Sequence, residues 1–288
     1  MSLNKYPHNY WDGEAVKTSN VVIKKKNFLQ YPGKVKIFAH QGGMGSQPEY
    51  KNTMVAFEHA VAQGITYIEI YVRLTSGREL VIVHDPRMRG VGLIRKKTLG
   101  YINNARVHTG KEPLIRLEDL LTKALIDQKW SRVKFNIDPK NESSVESLIN
   151  LLKKKKEAID RVCISSFSDR GTERIREEIG PKLCTALGPI GVLFLRLASY
   201  HSSFFSRLAS FISRKFRNYL EADCAQVPSW MVDKRLIEES HKRGLEVHVW
   251  TVNGPERMKY IIDLGVDGIM TDYPDVLKAI LKERSWLV

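Results

Sequence analysis

No stretch of the chain approaches the roughly 18 consecutive apolar residues that a membrane-spanning helix requires, and the opening segment MSLNKYPHNYWDGEAVKTSN has no continuous apolar run of the kind found in secretory leaders. Both absences lead to the expectation of a cytoplasmic protein. Cysteine is scarce as well. Cys163, Cys184 and Cys224 form an odd set without a C-x-x-C pair, a pattern that suits reduced core thiols better than disulfides or zinc. No role is assigned to them from the sequence. The first apolar run is not followed by a glycine-rich dinucleotide-binding turn, which lowers the case for a Rossmann sheet. No nucleic-acid-binding module is recognisable and the basic residues are dispersed, so no specific nucleic-acid partner is expected.

What is present describes a folded, basic protein. Of 288 residues, 43% are hydrophobic and 27% charged, a balance that supports a sizeable core and argues against global disorder. The net charge of +14 makes polyanions natural partners, whether phosphate esters, anionic lipid surfaces or nucleic acid. Sign alone does not choose among them. The densest cluster, KKKK at 153–156, sits in a helical pattern that spreads the four lysines around the helix, and so reads as a solvated end.

After a polar extension over residues 1–34, short apolar runs alternate with helical patterns. The runs are VKIFA (35–39), ITYIEIYV (65–72), ELVIV (79–83), VKFNID (133–138), RVCIS (161–165), KLCTAL (182–187), ADCAQV (222–227), EVHVWTV (246–252) and DGIMTD (267–272). Most are apolar on both faces, as parallel strands covered by helices should be. Segments such as 53–64, 116–126, 144–154 and 232–244 carry apolar residues at spacings of three and four, and Gly64, Gly244 and Gly265 fall where helix C-caps belong. This alternation points to an α/β barrel or an open doubly wound sheet. Only about six residues separate the second and third runs, too few for a helical crossover, so a hairpin-like excursion at TSGRE is expected there. Residues 189–220 read as a long barrel helix or helical hairpin. The competing reading is an amphipathic segment in peripheral contact with anionic membrane, because basic residues interleave with Leu197, Phe204, Leu208, Phe211 and Phe216.

In a barrel, residues at the carboxyl ends of strands surround the active site. Here those ends offer AHQGG (39–43), Glu69, His84 with Asp85, and NIDPK (136–140). Carboxylates hold a hard divalent cation, histidines move protons near neutral pH, and a lysine steadies charge on phosphoryl oxygens. That set suits cleavage of a phosphate ester. The stretch from Ala39 to Pro86 also resembles the start of the glycerophosphodiester phosphodiesterase family, whose pattern reads H-R-G, P-E-N-T, E-x-D and then H-D. FNIDPK, SSFS, VHVWTVN and GVDGIMTDYPD follow in the family's order.

The resemblance covers about residues 35–280 and implies a TIM (β/α)8 barrel domain over 35–288, irregular between its second and third strands. It implies metal-dependent hydrolysis of glycerophosphodiesters to sn-glycerol 3-phosphate and an alcohol, with Mg²⁺ or Ca²⁺ as cofactor and a glycerophosphodiester or lysophospholipid as substrate. The family's histidines fall on His40 and His84, and its metal ligands on Glu69 and Asp138, with Glu49 or Asp85 as further candidates. Lys140, Trp250, Gln41 and Tyr71 fall at substrate-facing positions.

Three departures matter. Gln41 stands where the family has arginine, so a fixed cationic fork becomes a neutral amide. Tyr71 stands where the E-x-D motif has aspartate. Tyr50 and Lys51 interrupt P-E-N-T, so that Lys51 competes with Glu49 for entry to the site. Two readings follow: an active phosphodiesterase with a weakened metal site, or a catalytically impaired barrel that binds phosphodiesters or an anionic surface.

Overall fold

The computed structural model describes residues 26–165, 169–188, 191–193, 195–196 and 222–287. In chain order the strands are β1 (Lys36–His40), β2 (Tyr67–Leu74), β3 (Leu80–Ile82), β4 (Arg87–Met88), β5 (Gly92–Leu93), β6 (Lys134–Pro139), β7 (Val162–Ile164), β8 (Cys184–Leu187), β9 (Cys224–Pro228), β10 (Glu246–Trp250) and β11 (Gly268–Thr271). The described helices are α1 (Met54–Ala62), α2 (Leu99–Val107), α3 (Leu117–Ile126), α4 (Glu142–Lys154), α5 (Asp169–Ile179), α6 (Lys234–Lys242), α7 (Pro255–Asp263) and α8 (Pro274–Glu283).

Eight strands pair in parallel in the order β1, β2, β6, β7, β8, β9, β10 and β11, and β11 pairs back onto β1. The sheet is therefore a closed barrel, and closure leaves none of these eight strands with an open edge. β3 is the exception anticipated from the short connection: it folds back antiparallel on β2 through a turn at 75–79, where Thr75 and Glu79 pair through the backbone and Arg78 takes a left-handed φ of 63°. Gly64, Gly244 and Gly265 adopt positive φ at the ends of α1, α6 and α7, the conformation a helix C-cap asks of glycine.

Strand residues that are apolar on both faces fill two different spaces. Ile68, Ile70, Phe135, Ile137 and their counterparts on β9–β11 pack outward against the helices. The alternate residues, among them Phe38, Tyr67, Cys163, Cys184, Cys224 and Met270, fill the barrel interior. The amino-terminal end of the barrel is plugged by a 3-10 helix, Asn27–Leu29, from the segment preceding β1. Phe28 is buried with its ring edge-on to Tyr67 at 5.4 Å, and Lys134 Nζ donates to the carbonyls of Asn27, Phe28 and Gln30.

Most of the 189–220 segment lies outside the described residues. Among the described residues no helix is long and apolar enough to cross a membrane.

Candidate active site

The carboxyl ends of the strands deliver His40 from β1, Glu69 and Tyr71 from β2, and Asp138 from β6, with Lys140 just beyond. Register makes them neighbours: His40 lies opposite Glu69, and Tyr71 opposite Asp138. The two-residue period of a strand places 69 and 71 on the same inward face.

His40 Nδ1 stands 2.7 Å from Asp272 Oδ1, at the end of β11. Asp272 also accepts from Lys51 Nζ at 2.8 Å and from Asn253 Nδ2 at 2.9 Å. Burial pushes its carboxyl up, but hydrogen bonds from His40 and Lys51 outweigh burial and hold it well below the usual carboxylate range. An ionised Asp272 fixes the His40 proton on Nδ1 and turns the Nε2 lone pair into the site. Two groups meet that nitrogen at 3.1 Å, the Tyr71 hydroxyl and the Gln41 side-chain nitrogen.

Gln41 is held in place from both ends. Its backbone is left-handed at φ 55°, its N–H donates to the Glu69 carbonyl, and its side-chain oxygen accepts from Asn52 Nδ2 at 2.7 Å. The turn continues through Gly42 at φ 94°, where a Cβ would stand 2.6 Å from the Ala56 Cβ; only glycine fits.

Tyr71 sits at the centre. Its one hydroxyl proton is within reach of two acceptors, Glu69 Oε1 at 3.2 Å and His40 Nε2 at 3.1 Å; its ring meets His84 edge-on at 4.6 Å, and Lys140 Nζ lies 4.2 Å from its centroid. Burial, reinforced by Glu69 and Asp138, pushes the phenol well above its ordinary range, so Tyr71 is a neutral hydroxyl and not an anionic ligand.

Glu69 and Asp138 are 5% and 6% exposed. One oxygen of each has a partner, Glu69 Oε1 in Tyr71 and Asp138 Oδ2 in Lys140 at 2.8 Å. The other oxygens, Glu69 Oε2 and Asp138 Oδ1, are buried without a hydrogen-bond partner. Burial pushes both carboxyls above their usual range. Buried acceptors left unmet cost about 1–3 kcal/mol each, more when charged, so such a pair marks a place for a positive ligand. The donor set is two hard oxygens, which fits a divalent cation whose shell is completed by water and substrate phosphate.

His84 follows β3, half-exposed, with Nδ1 2.8 Å from Asp85 Oδ1 and its carbonyl accepting from Arg73 Nε at 2.7 Å. Asp85 is itself exposed. Trp250 ends β10, partly buried against the interior cluster. Glu49 lies exposed in the 3-10 helix Pro48–Tyr50 and takes no part in the contacts that join the cluster; Lys51 and Asn52 are the residues of the interrupted motif that enter. Asp272, Asn52 and Asn253 were not singled out from the sequence. Asp272 carried a usable signal, because it stands at a strand end as His40 and Asp138 do.

Comparison with known proteins fits this geometry. Residues 40–276 match the glycerophosphoryl diester phosphodiesterase family. A probable glycerophosphodiester phosphodiesterase 2 of Mycobacterium tuberculosis is 32% identical over 267 residues, covering 90% of this chain and 94% of that one. The human lysophospholipase D GDPD3 is 26% identical, covering 95% of this chain and 94% of its own. An Oleispira antarctica phosphodiesterase, solved in complex with the product sn-glycerol-3-phosphate, superposes with a TM-score of 0.64 at 18% identity, covering 86% of this chain and 96% of that one, and so shares the fold. The chain belongs to the glycerophosphoryl diester phosphodiesterase family, whose members are phosphoric diester hydrolases.

Proposed function

We propose that this chain hydrolyses glycerophosphodiesters to sn-glycerol 3-phosphate and an alcohol, using a divalent cation held by Glu69 and Asp138. The observation that carries this is the pair of buried, partnerless carboxylate oxygens, one of them, Glu69 Oε2, 3.8 Å from His40 Nε2. Mg²⁺ is the better candidate, since it is held by one or two carboxylates and keeps several waters, whereas Ca²⁺ takes six to eight oxygens. When bound, the cation neutralises the phosphate and stabilises charge developing on its oxygens.

His40, oriented by Asp272, accepts the proton of the attacking hydroxyl or water at Nε2. His84, on the far side of the Tyr71 ring and open to solvent, is placed to return a proton to the leaving alcohol. Lys140 and Lys51 supply positive charge around the phosphate. Lys51 makes up in part for the arginine that Gln41 replaces, because the interrupted loop brings its ammonium to the Asp272 carboxylate. Tyr71 takes the space of the missing aspartate and donates to Glu69 where that aspartate would have bound the cation. A weaker metal site with a working base is the consequence. The name lysophospholipase D, carried by the human relative, supports adding lysophospholipids to water-soluble diesters as candidate substrates.

The test is release of glycerol 3-phosphate from glycerophosphocholine and glycerophosphoethanolamine, and of the head-group alcohol from lysophospholipids, each with Mg²⁺, Ca²⁺ or Mn²⁺ and with a chelator. Cation-dependent turnover that disappears in His40→Asn supports the proposal. Binding of these ligands without turnover under any cation would favour the impaired barrel, in which Gln41 and Tyr71 do no more than cap His40.

A further inference from the structure

Below the rim, the barrel interior contains a cluster that the reaction does not use. Cys163 on β7, Cys184 on β8 and Cys224 on β9 are each 0% exposed. Cys163 and Cys184 are register partners on adjacent strands, with Sγ atoms 3.1 Å apart, and Cys224 Sγ lies 4.0 Å from Cys163 Sγ. All three sulfurs fall within 4.8 Å of one another. Thiolates each about 2.3 Å from a tetrahedral zinc ion stand about 3.8 Å apart, so the three are spaced to share one ion with sub-ångström adjustment.

A candidate fourth ligand neighbours Cys224, just outside the 4.8 Å span of the three sulfurs. His248, on β10, is fully buried and neighbours Cys224. Among the described residues its Nδ1 has no partner at hydrogen-bond distance, with the Cys224 thiol as its neighbour, while its Nε2 lies 3.2 Å from Glu246 Oε2, and Glu246 is held in turn by Lys36 Nζ at 2.7 Å. A histidine that binds a metal through one ring nitrogen and donates its other N–H to a carboxylate is the usual outer support of a protein metal site. Packing alone explains buried thiols, which behave as small apolar groups, but it leaves the His248 Nδ1 unsatisfied in the interior.

We propose that Cys163, Cys184 and Cys224 hold one zinc-class ion inside the barrel, and that His248, steadied by Glu246 and Lys36, swings its Nδ1 onto that ion as the fourth ligand. The site is separate in chemistry from the rim: soft sulfur and nitrogen ligands below, hard oxygen ligands above. With His248 drawn in, four protein ligands leave no open position, so the ion ties β7, β8, β9 and β10 together and takes no part in hydrolysis. Burial requires that it enter as the chain folds.

The test is elemental analysis of the full-length protein, purified under reducing conditions and dialysed against EDTA, together with the absorption spectrum after refolding with Co²⁺ in place of zinc. The expected result is one tightly held zinc per chain, retained in the rim variant Glu69→Gln/Asp138→Asn, and thiolate-to-cobalt charge-transfer absorption in the refolded protein. Cys184→Ser and His248→Gln should lower the zinc content to near zero. Should either variant fail to fold, the wild-type stoichiometry and cobalt spectrum decide alone. Trace zinc with three thiols titrating in denaturant, two thiols consumed as a disulfide, or zinc that departs with the rim carboxylates would each overturn the proposal.

Discussion

At the scale of single residues, Tyr71 and Gln41 decide how strongly the rim works. A neutral phenol and a neutral amide stand where the family carries an anion and a cation, and both touch His40 Nε2. Replacing Tyr71 with aspartate adds a charged oxygen next to Glu69 and frees His40. Tyr71→Asp with Gln41→Arg should tighten cation binding by roughly tenfold, equal to about 1.4 kcal/mol, and raise turnover, both measured by titration and product release. Asp272 acts through His40. Asp272→Asn keeps the shape but lets the imidazole settle in the wrong tautomer, so kcat should fall roughly 100-fold or more with little change in KM. A pure loss of folding would instead lower the active fraction and leave the pH profile of the remainder unmoved. Tyr71 and Gln41 were legible as departures in the sequence. Their joint contact with one nitrogen was not, because it depends on a left-handed backbone at Gln41 and on the register of β1 against β2.

At the scale of elements, alternation of apolar runs and helical patterns located the nine longer strands among the described residues, since strands buried on both faces leave that mark in sequence. The short β4–β5 hairpin escaped notice because two-residue strands carry no period. The segment before β1 read as a polar extension, yet its Phe28 closes the barrel bottom against Tyr67 and Phe38. Scattered aromatics in a largely polar stretch give no periodic signal. Phe28→Ala should cost about 3 kcal/mol, seen as a lower urea midpoint with unchanged slope. The three cysteines illustrate the same limit. They lie far apart in sequence, and only the parallel pairing of β7 with β8 and of β8 with β9 brings them together.

At the scale of the whole molecule, the buried rim carboxylates couple ion binding to stability. Burial raises Glu69 and Asp138 in the fold above their unfolded values, about 4, so without a cation they hold more protons folded than unfolded. Their contribution is therefore present at acid pH and lost as pH rises through the folded values. A cation binds the deprotonated pair and reverses that trend. The rise in Tm produced by saturating Mg²⁺ should be larger at about pH 8 than at about pH 5, by differential scanning calorimetry. The strand-end residues His40, Glu69, His84 and Asp138 could be named from sequence because the barrel gathers strand ends at one mouth. Glu49 was placed by motif spacing alone, which the inserted Tyr50 and Lys51 disturb; Lys51 reaches Asp272 while Glu49 stays exposed.

The claim on which the account rests is that Glu69 and Asp138 still hold a divalent cation with Tyr71 beside them. Calorimetric titration of the metal-free rim with Mg²⁺ tests it most directly. One Mg²⁺ should bind per chain, and its heat should vanish in Glu69→Gln/Asp138→Asn; no binding by the wild type, or binding indifferent to that double substitution, would contradict it.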